Sequence, residues 1–85
     1  MKSESSNIVM YSTKWCPSCW QAKQVMDSMK VDYRLVDISR DEEATQVVMD
    51  LNRGYRSVPT IVFPDGSVLT EPPPAALVEK LQHYV

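Results

Sequence analysis

The sequence predicts an α/β domain, a four-stranded mixed sheet flanked by three helices in the order βαβαββα. Three observations carry that expectation. Short apolar runs alternate with segments of helical periodicity, the pattern of strands joined by crossover helices. Two of the runs face each other across Pro64-Asp65-Gly66, whose turn chemistry makes an antiparallel hairpin. The 85 residues suffice for one core, so residues 1–85 read as a single domain with residues 1–6 as a polar N-terminal extension.

Each element follows from its residues. Ile8-Val9-Met10-Tyr11 is apolar throughout and suits a strand covered on both faces, ended by Ser12 and Thr13. Pro17 fits the first turn of a helix, where its missing N–H costs nothing. Ala22, Val25, Met26 and Met29 then recur on one helical face, headed by Cys19. Tyr33 to Ile38 alternates as a second strand. Ser39 and Glu42 form a capping-box pattern for a helix carrying Ala44, Val47, Val48 and Leu51, with Gly54 as its stop. Thr60 to Phe63 and Ser67 to Thr70 are the hairpin strands. Pro72 to Pro74 end the sheet and open a last helix whose apolar face is Leu77, Val78, Leu81 and Tyr84. The first strand–helix–strand unit should be a parallel crossover.

Composition narrows the function. Net charge is −2 and the basic residues form no dense patch, which argues against a nucleic-acid partner. No run is long enough to span a membrane, and the N-terminus lacks the apolar stretch of a secretory signal, so the expected location is cytoplasmic. There thiols stay reduced, and Cys16 and Cys19 read as redox or metal chemistry. As a bridge they would close almost no loop and staple little. Structural zinc wants four ligands, and the chain offers two cysteines and one histidine, His83. No metal site is expected.

Cys16-Pro17-Ser18-Cys19 at a strand-to-helix junction is the feature that carries chemistry. Disulfide exchange needs a thiolate. A cysteine at a helix N-terminus faces unpaired N–H groups and the positive end of the dipole. The dipole alone is worth about 0.3–1 kcal/mol, under one pKa unit, so N–H groups of Ser18 and Cys19 must add to it, with Lys14 as a further candidate. Cys16 is expected to attack and the more buried Cys19 to resolve the mixed disulfide. Trp15 is read as a partly exposed ring shielding the sulfur, Trp20 as a packing residue and His83 as a helix C-terminal cation. In Arg56-Ser57-Val58-Pro59-Thr60, Pro59 is either an ordinary trans proline opening a strand or a cis proline in a tight turn.

With both motifs in place, the sequence resembles the glutaredoxins, which have the thioredoxin fold, from about Ile8 to the last helix. That resemblance implies a cis Pro59 beside Cys16, and a Val58 backbone that pairs with a bound thiol peptide. It also implies an Arg56 that meets a carboxylate of glutathione. Thr70 and Glu71 stand where the family holds the thiol's other carboxylate end, although Glu71 could instead cap the last helix. No cofactor is bound on this reading. A low-molecular-weight thiol, glutathione or mycothiol-like, is co-substrate, and disulfide-containing proteins are the partners of a monomer. The chain departs from the common pattern: Ser18 replaces the usual Tyr, Thr13 the usual basic residue, and Leu69-Thr70-Glu71-Pro72 the usual Gly-Gly and Asp. Trp15-Cys16 with Gly54 to Thr60 looks most like the mycoredoxin branch, which serves a thiol other than glutathione. Two alternatives belong to the same resemblance. One is a hydrogen donor recharged by a thioredoxin-reductase-type flavoprotein. The other is a protein holding an iron–sulfur cluster between subunits, for which glycine rather than Pro17 is usual.

Overall fold

A computed structural model describes residues 7–85, so the N-terminal extension at 1–6 lies outside the described residues. The elements are β1 (Val9–Ser12), α1 (Pro17–Ser28), β2 (Arg34–Asp37), α2 (Glu42–Leu51), β3 (Thr60–Val62), β4 (Val68–Thr70) and α3 (Pro74–Leu81). The sheet order is β2-β1-β3-β4. β1 runs parallel to β2 and antiparallel to β3, and β3 pairs antiparallel with β4. Met10 sits opposite Leu35 on one side and Ile61 on the other. The expected βαβαββα order is thus present, and it puts the end of β1 and the start of α1 in the middle of the molecule.

The two faces of the sheet are covered unequally. Ile8, Met10, Met26, Ile61, Phe63, Leu77 and Leu81 pack with α1 and α3 into the main core. On the other face α2 supplies only Ala44 and Val48, joined by Ile38 and flanked by Tyr11, Val36 and Val58. β1 therefore alternates: Met10 and Ser12 are buried, whereas Val9 and Tyr11 are half-buried. The uniform cover expected from its apolar sequence is corrected, because one short helix cannot close a face that two helices close opposite it.

The start of α2 also differs from expectation. Asp41, not Ser39, is the N-cap, and its carboxylate accepts from the Ala44 N–H at 3.1 Å. Ser39 is occupied elsewhere, since its N–H and hydroxyl both donate to Asp37 Oδ1, at 2.9 and 2.6 Å. That pair winds Ile38–Arg40 into a 3₁₀ turn and delays the helix to Glu42. At its other end Asn52 is the C-cap, and Gly54, with φ +93°, donates its N–H to the Met49 carbonyl at 2.7 Å. Positive φ is tolerated there because glycine has no Cβ.

The β3–β4 hairpin is strapped to α3. Phe63 stacks on Tyr84 with centroids 5.6 Å apart, and Lys80 Nζ lies 5.1 Å over the Phe63 ring. Lys80 also meets Asp65 Oδ2 at 3.1 Å, while Asp65 Oδ1 accepts from the Ser67 N–H and hydroxyl. The Ser67 hydrogen bonds, then Lys80, hold the Asp65 carboxyl well below the usual carboxylate range. A depressed folded-state pKa stabilises above the unfolded value and is lost as pH falls through the folded one. Asp65→Asn should therefore flatten the acid side of the stability profile below about pH 4, measured as thermal midpoints between pH 7 and pH 2. An unchanged acid slope would show that Asp65 contributes nothing to it.

Candidate active site

Cys16 is the N-cap of α1, with extended backbone (φ −137°), and Pro17 is the first helical residue. This follows from local chemistry: β1 ends at Ser12, and a proline can open a helix but not extend one. As cap, Cys16 receives a helical N–H: the Cys19 amide donates to Cys16 Sγ at 3.0 Å. Of the two amide donors expected from Ser18 and Cys19, Cys19's is the one the structure supplies. The two cysteines are joined as a disulfide, with Cα atoms 5.1 Å apart. Their environments differ. Cys19 is 4% exposed, while Cys16 is half-buried at the helix mouth.

The Val58–Pro59 peptide bond is cis. It lies against the cysteines, with Cys16 Sγ 3.9 Å from the Val58 carbonyl oxygen. The Pro59 carbonyl, in turn, accepts from the Glu71 N–H at 2.8 Å. So the segments ending at Ser57–Pro59 and at Thr70–Glu71 form one wall beside the motif.

Asn52 fastens that wall. Its amide donates to the Val48 carbonyl at 2.8 Å and to Thr60 Oγ1 at 3.0 Å. It accepts from the Thr70 hydroxyl at 2.7 Å. The buried Thr60 hydroxyl passes the link on to the Ser57 carbonyl at 2.7 Å. One side chain thereby ties α2, the cis-proline loop and the end of β4 together. A polar network with its buried groups all paired holds a single arrangement.

On the other flank, Lys14, Trp15, Pro17 and Trp20 form an apolar shelf with Cys16. Trp15 is 91% and Trp20 63% exposed. The packing role expected for Trp20 is corrected: it stands on α1 off the Ala22–Met26 face, towards water. Lys14 is near enough to Asp37 to lower its carboxyl pKa, after the larger effect of the Ser39 hydrogen bonds. Arg56 lines, with Arg40 and Gln46, a groove of about 700 Å³ over the start of α2. Glu71 does not cap α3; the N-cap is Pro73, with no side-chain capping bond. Among the described residues no group of three or more His, Cys, Asp or Glu side chains is arranged to hold a metal. None of the described helices is long and apolar enough to cross a membrane.

Residues 8–68 match the family model of glutaredoxin. The chain belongs to the glutaredoxin family. Glutaredoxins are thiol–disulfide oxidoreductases, and this chain holds Cys16 and Cys19 side by side. It is 38% identical over 77 residues to Mycoredoxin 1 of Corynebacterium glutamicum, covering 91% of this chain and 95% of that one. Among solved structures it is similar to the thioredoxin-like protein BC3987 (TM-score 0.74, 29% identity, 93% of this chain and 100% of that one). It also shares its fold with the glutaredoxin-like protein NrdH-redoxin from Escherichia coli (TM-score 0.71, 21% identity, 85% and 91% of the two chains).

In this glutaredoxin fold, Cys16 lies beside Cys19 and the Val58 carbonyl, Pro59 is bonded to Glu71, Thr70 to Asn52, Lys14 and Trp15 share a shelf with Cys16, and Arg56 lines a groove over α2. Sequence reasoning missed Asn52 and Thr60. An asparagine just before Gly54 signals a helix end. Its partners eight and eighteen residues away leave no local trace.

Proposed function

We propose that this glutaredoxin reduces protein disulfides, or mixed disulfides with a low-molecular-weight thiol, with Cys16 as nucleophile and Cys19 as resolving cysteine. The observation that carries the proposal is the position of Cys16 Sγ, at the N-cap of α1 under the Cys19 N–H and beside the Val58 carbonyl. A hydrogen bond to a charged acceptor is worth about 1.5–3 kcal/mol and the helix terminus about 0.3–1 kcal/mol more. Both act on the charged form of the sulfur, which is the form that attacks a disulfide.

The Cys16 thiolate attacks one sulfur of the substrate disulfide. The substrate S–S bond breaks, a mixed disulfide forms on Cys16, and the other sulfur leaves as a thiolate that takes up a proton. The Cys19 thiolate then attacks Cys16 Sγ, releasing the second thiol and forming the Cys16–Cys19 disulfide. Two molecules of the small thiol return two electrons and are oxidised to their own disulfide. The relative named Mycoredoxin 1 and the Trp15-Cys16 and Gly54–Thr60 segments favour a mycothiol-like donor over glutathione.

Cys19→Ser tests the route. Turnover of small-thiol mixed disulfides should persist through Cys16 alone. Reduction of protein disulfides should fall by at least tenfold, because the protein-bound intermediate then waits for an external thiol. Equal loss on both substrate classes would mean that the dithiol route is the only one; retention on both would leave Cys19 without a resolving role.

A further inference from the structure

The shelf beside Cys16 does not end at Trp20. One hollow, of about 320 Å³, lies over Lys14, Trp15, Cys16, Pro17 and Trp20. A second, of about 150 Å³, shares Lys14, Cys16 and Trp20 with it and reaches on to Lys23 and Leu35. The two form one surface that runs from the motif across the start of α1 to β2. Among the described residues no aspartate or glutamate lines either hollow, and Lys14 and Lys23 are the charged residues that do.

The far end of this surface is open because the sheet ends there. β2 is an edge strand, and among the described residues none of its own belongs to the main core. Leu35 is in register with Met10, which is fully buried, yet Leu35 is 48% exposed. Trp20 follows Cys19 in α1 and is turned off the buried Ala22–Met26 face. Lys23 is held along the same helix by its ion pair with Asp27 at 3.2 Å. Apolar side chains exposed singly are ordinary, but Trp15, Trp20 and Leu35 border adjoining hollows. Exchange at one sulfur uses none of the apolar surface at Leu35. Exposed tryptophans grouped in this way are typical anchors of protein interfaces.

We propose that this surface docks the disulfide-bearing segment of a protein partner. Trp20 and Leu35 receive an apolar side chain close to the partner's cysteine, and Lys14 and Lys23 are the charge complement of acidic residues beside it. The inference rests on the proposed reduction of protein disulfides and adds where the protein lies and what chemistry it carries. Trp20 and Leu35 therefore raise the rate on a polypeptide relative to the rate on a lone cysteine.

The test follows the first chemical step. Two peptides of equal length carry one cysteine and a nearby leucine, with glutamates beside them in one and lysines in the other. A capped single cysteine is the reference. Each is presented to the reduced protein as its mixed disulfide with nitrothiobenzoate. The Cys16 thiolate attacks the peptide sulfur, the S–S bond breaks, and nitrothiobenzoate leaves as a coloured thiolate whose absorbance gives the rate. In the wild type the glutamate peptide should react about tenfold faster than the capped cysteine. Trp20→Gln should lose most of that ratio and Leu35→Thr part of it. The lysine peptide should gain less, and the difference between the peptides should narrow in high salt. The same ratio in all three proteins overturns the proposal. So does Trp20-dependent self-association, or Trp20-dependent sedimentation with anionic lipid vesicles, in the absence of any peptide advantage. A second arm measures binding of the glutamate peptide, fluorescein-labelled and with serine in place of its cysteine. Binding that weakens in both variants, while no protein releases nitrothiobenzoate, upholds the surface and overturns the exchange reading instead.

Discussion

Cys16→Ser should abolish thiol transfer, lowering turnover of a small mixed disulfide by at least about 10³-fold at pH 7. The reason is the group the site is built to activate. A single N–H at 3.0 Å and a helix terminus favour a thiolate. They cannot ionise an aliphatic hydroxyl, and among the described residues no histidine or carboxylate is bonded to residue 16 to act as base. Cys19 does not take over: it is 4% exposed and lies one turn inside α1, so a substrate sulfur cannot approach it in line. The coupled assay with 2-hydroxyethyl disulfide reads the loss directly, and far-ultraviolet circular dichroism shows whether the variant is folded. A folded Cys16→Ser protein with ordinary turnover would overturn the assignment of the nucleophile.

Phe63→Ala should cost about 3–5 kcal/mol of stability. A domain of this length has about 4–13 kcal/mol in all, so a large part of the margin goes with one ring. Phe63 is buried at the end of β3, stacked on Tyr84 and capped by Lys80. Its loss opens a cavity between the hairpin and α3 and leaves Tyr84 without its stacking partner. The effect reaches the site because β3 begins at Thr60, directly after the cis Pro59, and Thr60 holds Ser57. Urea unfolding should show the midpoint falling sharply, with activity tracking the folded fraction. Phe63→Leu keeps most of the volume and should cost under about 1.5 kcal/mol. A Phe63→Ala protein within about 1 kcal/mol of wild type would show that the core closes over the gap.

The two corrections to the elements have a common origin. Ser39 carries a capping signal, but Asp37 offers it a carboxylate two residues away, and the shorter contact prevails. The run Ile8 to Tyr11 shows apolar residues without showing what covers them. Cover is a property of the helices packed on each face, and α2 is short. Trp20 illustrates the same limit at the site. Its type suggests packing, yet its position on α1 turns it outward beside Cys16.

The sequence by itself determined the order of strands and helices, the hairpin at Pro64-Asp65-Gly66 and the place of Cys16 at a helix mouth. Periodicity, proline and turn chemistry act over a few residues, so their consequences can be read along the chain. Only the tertiary structure decided that Val58 lies against Cys16, 42 positions away, and that Asn52 ties the walls of the groove together. It also decided that Arg56 lines a groove over α2, and that Glu71 is held in a left-handed conformation. Those facts depend on which distant backbone groups the sheet brings into hydrogen-bond range, and no local pattern of residue types encodes that pairing.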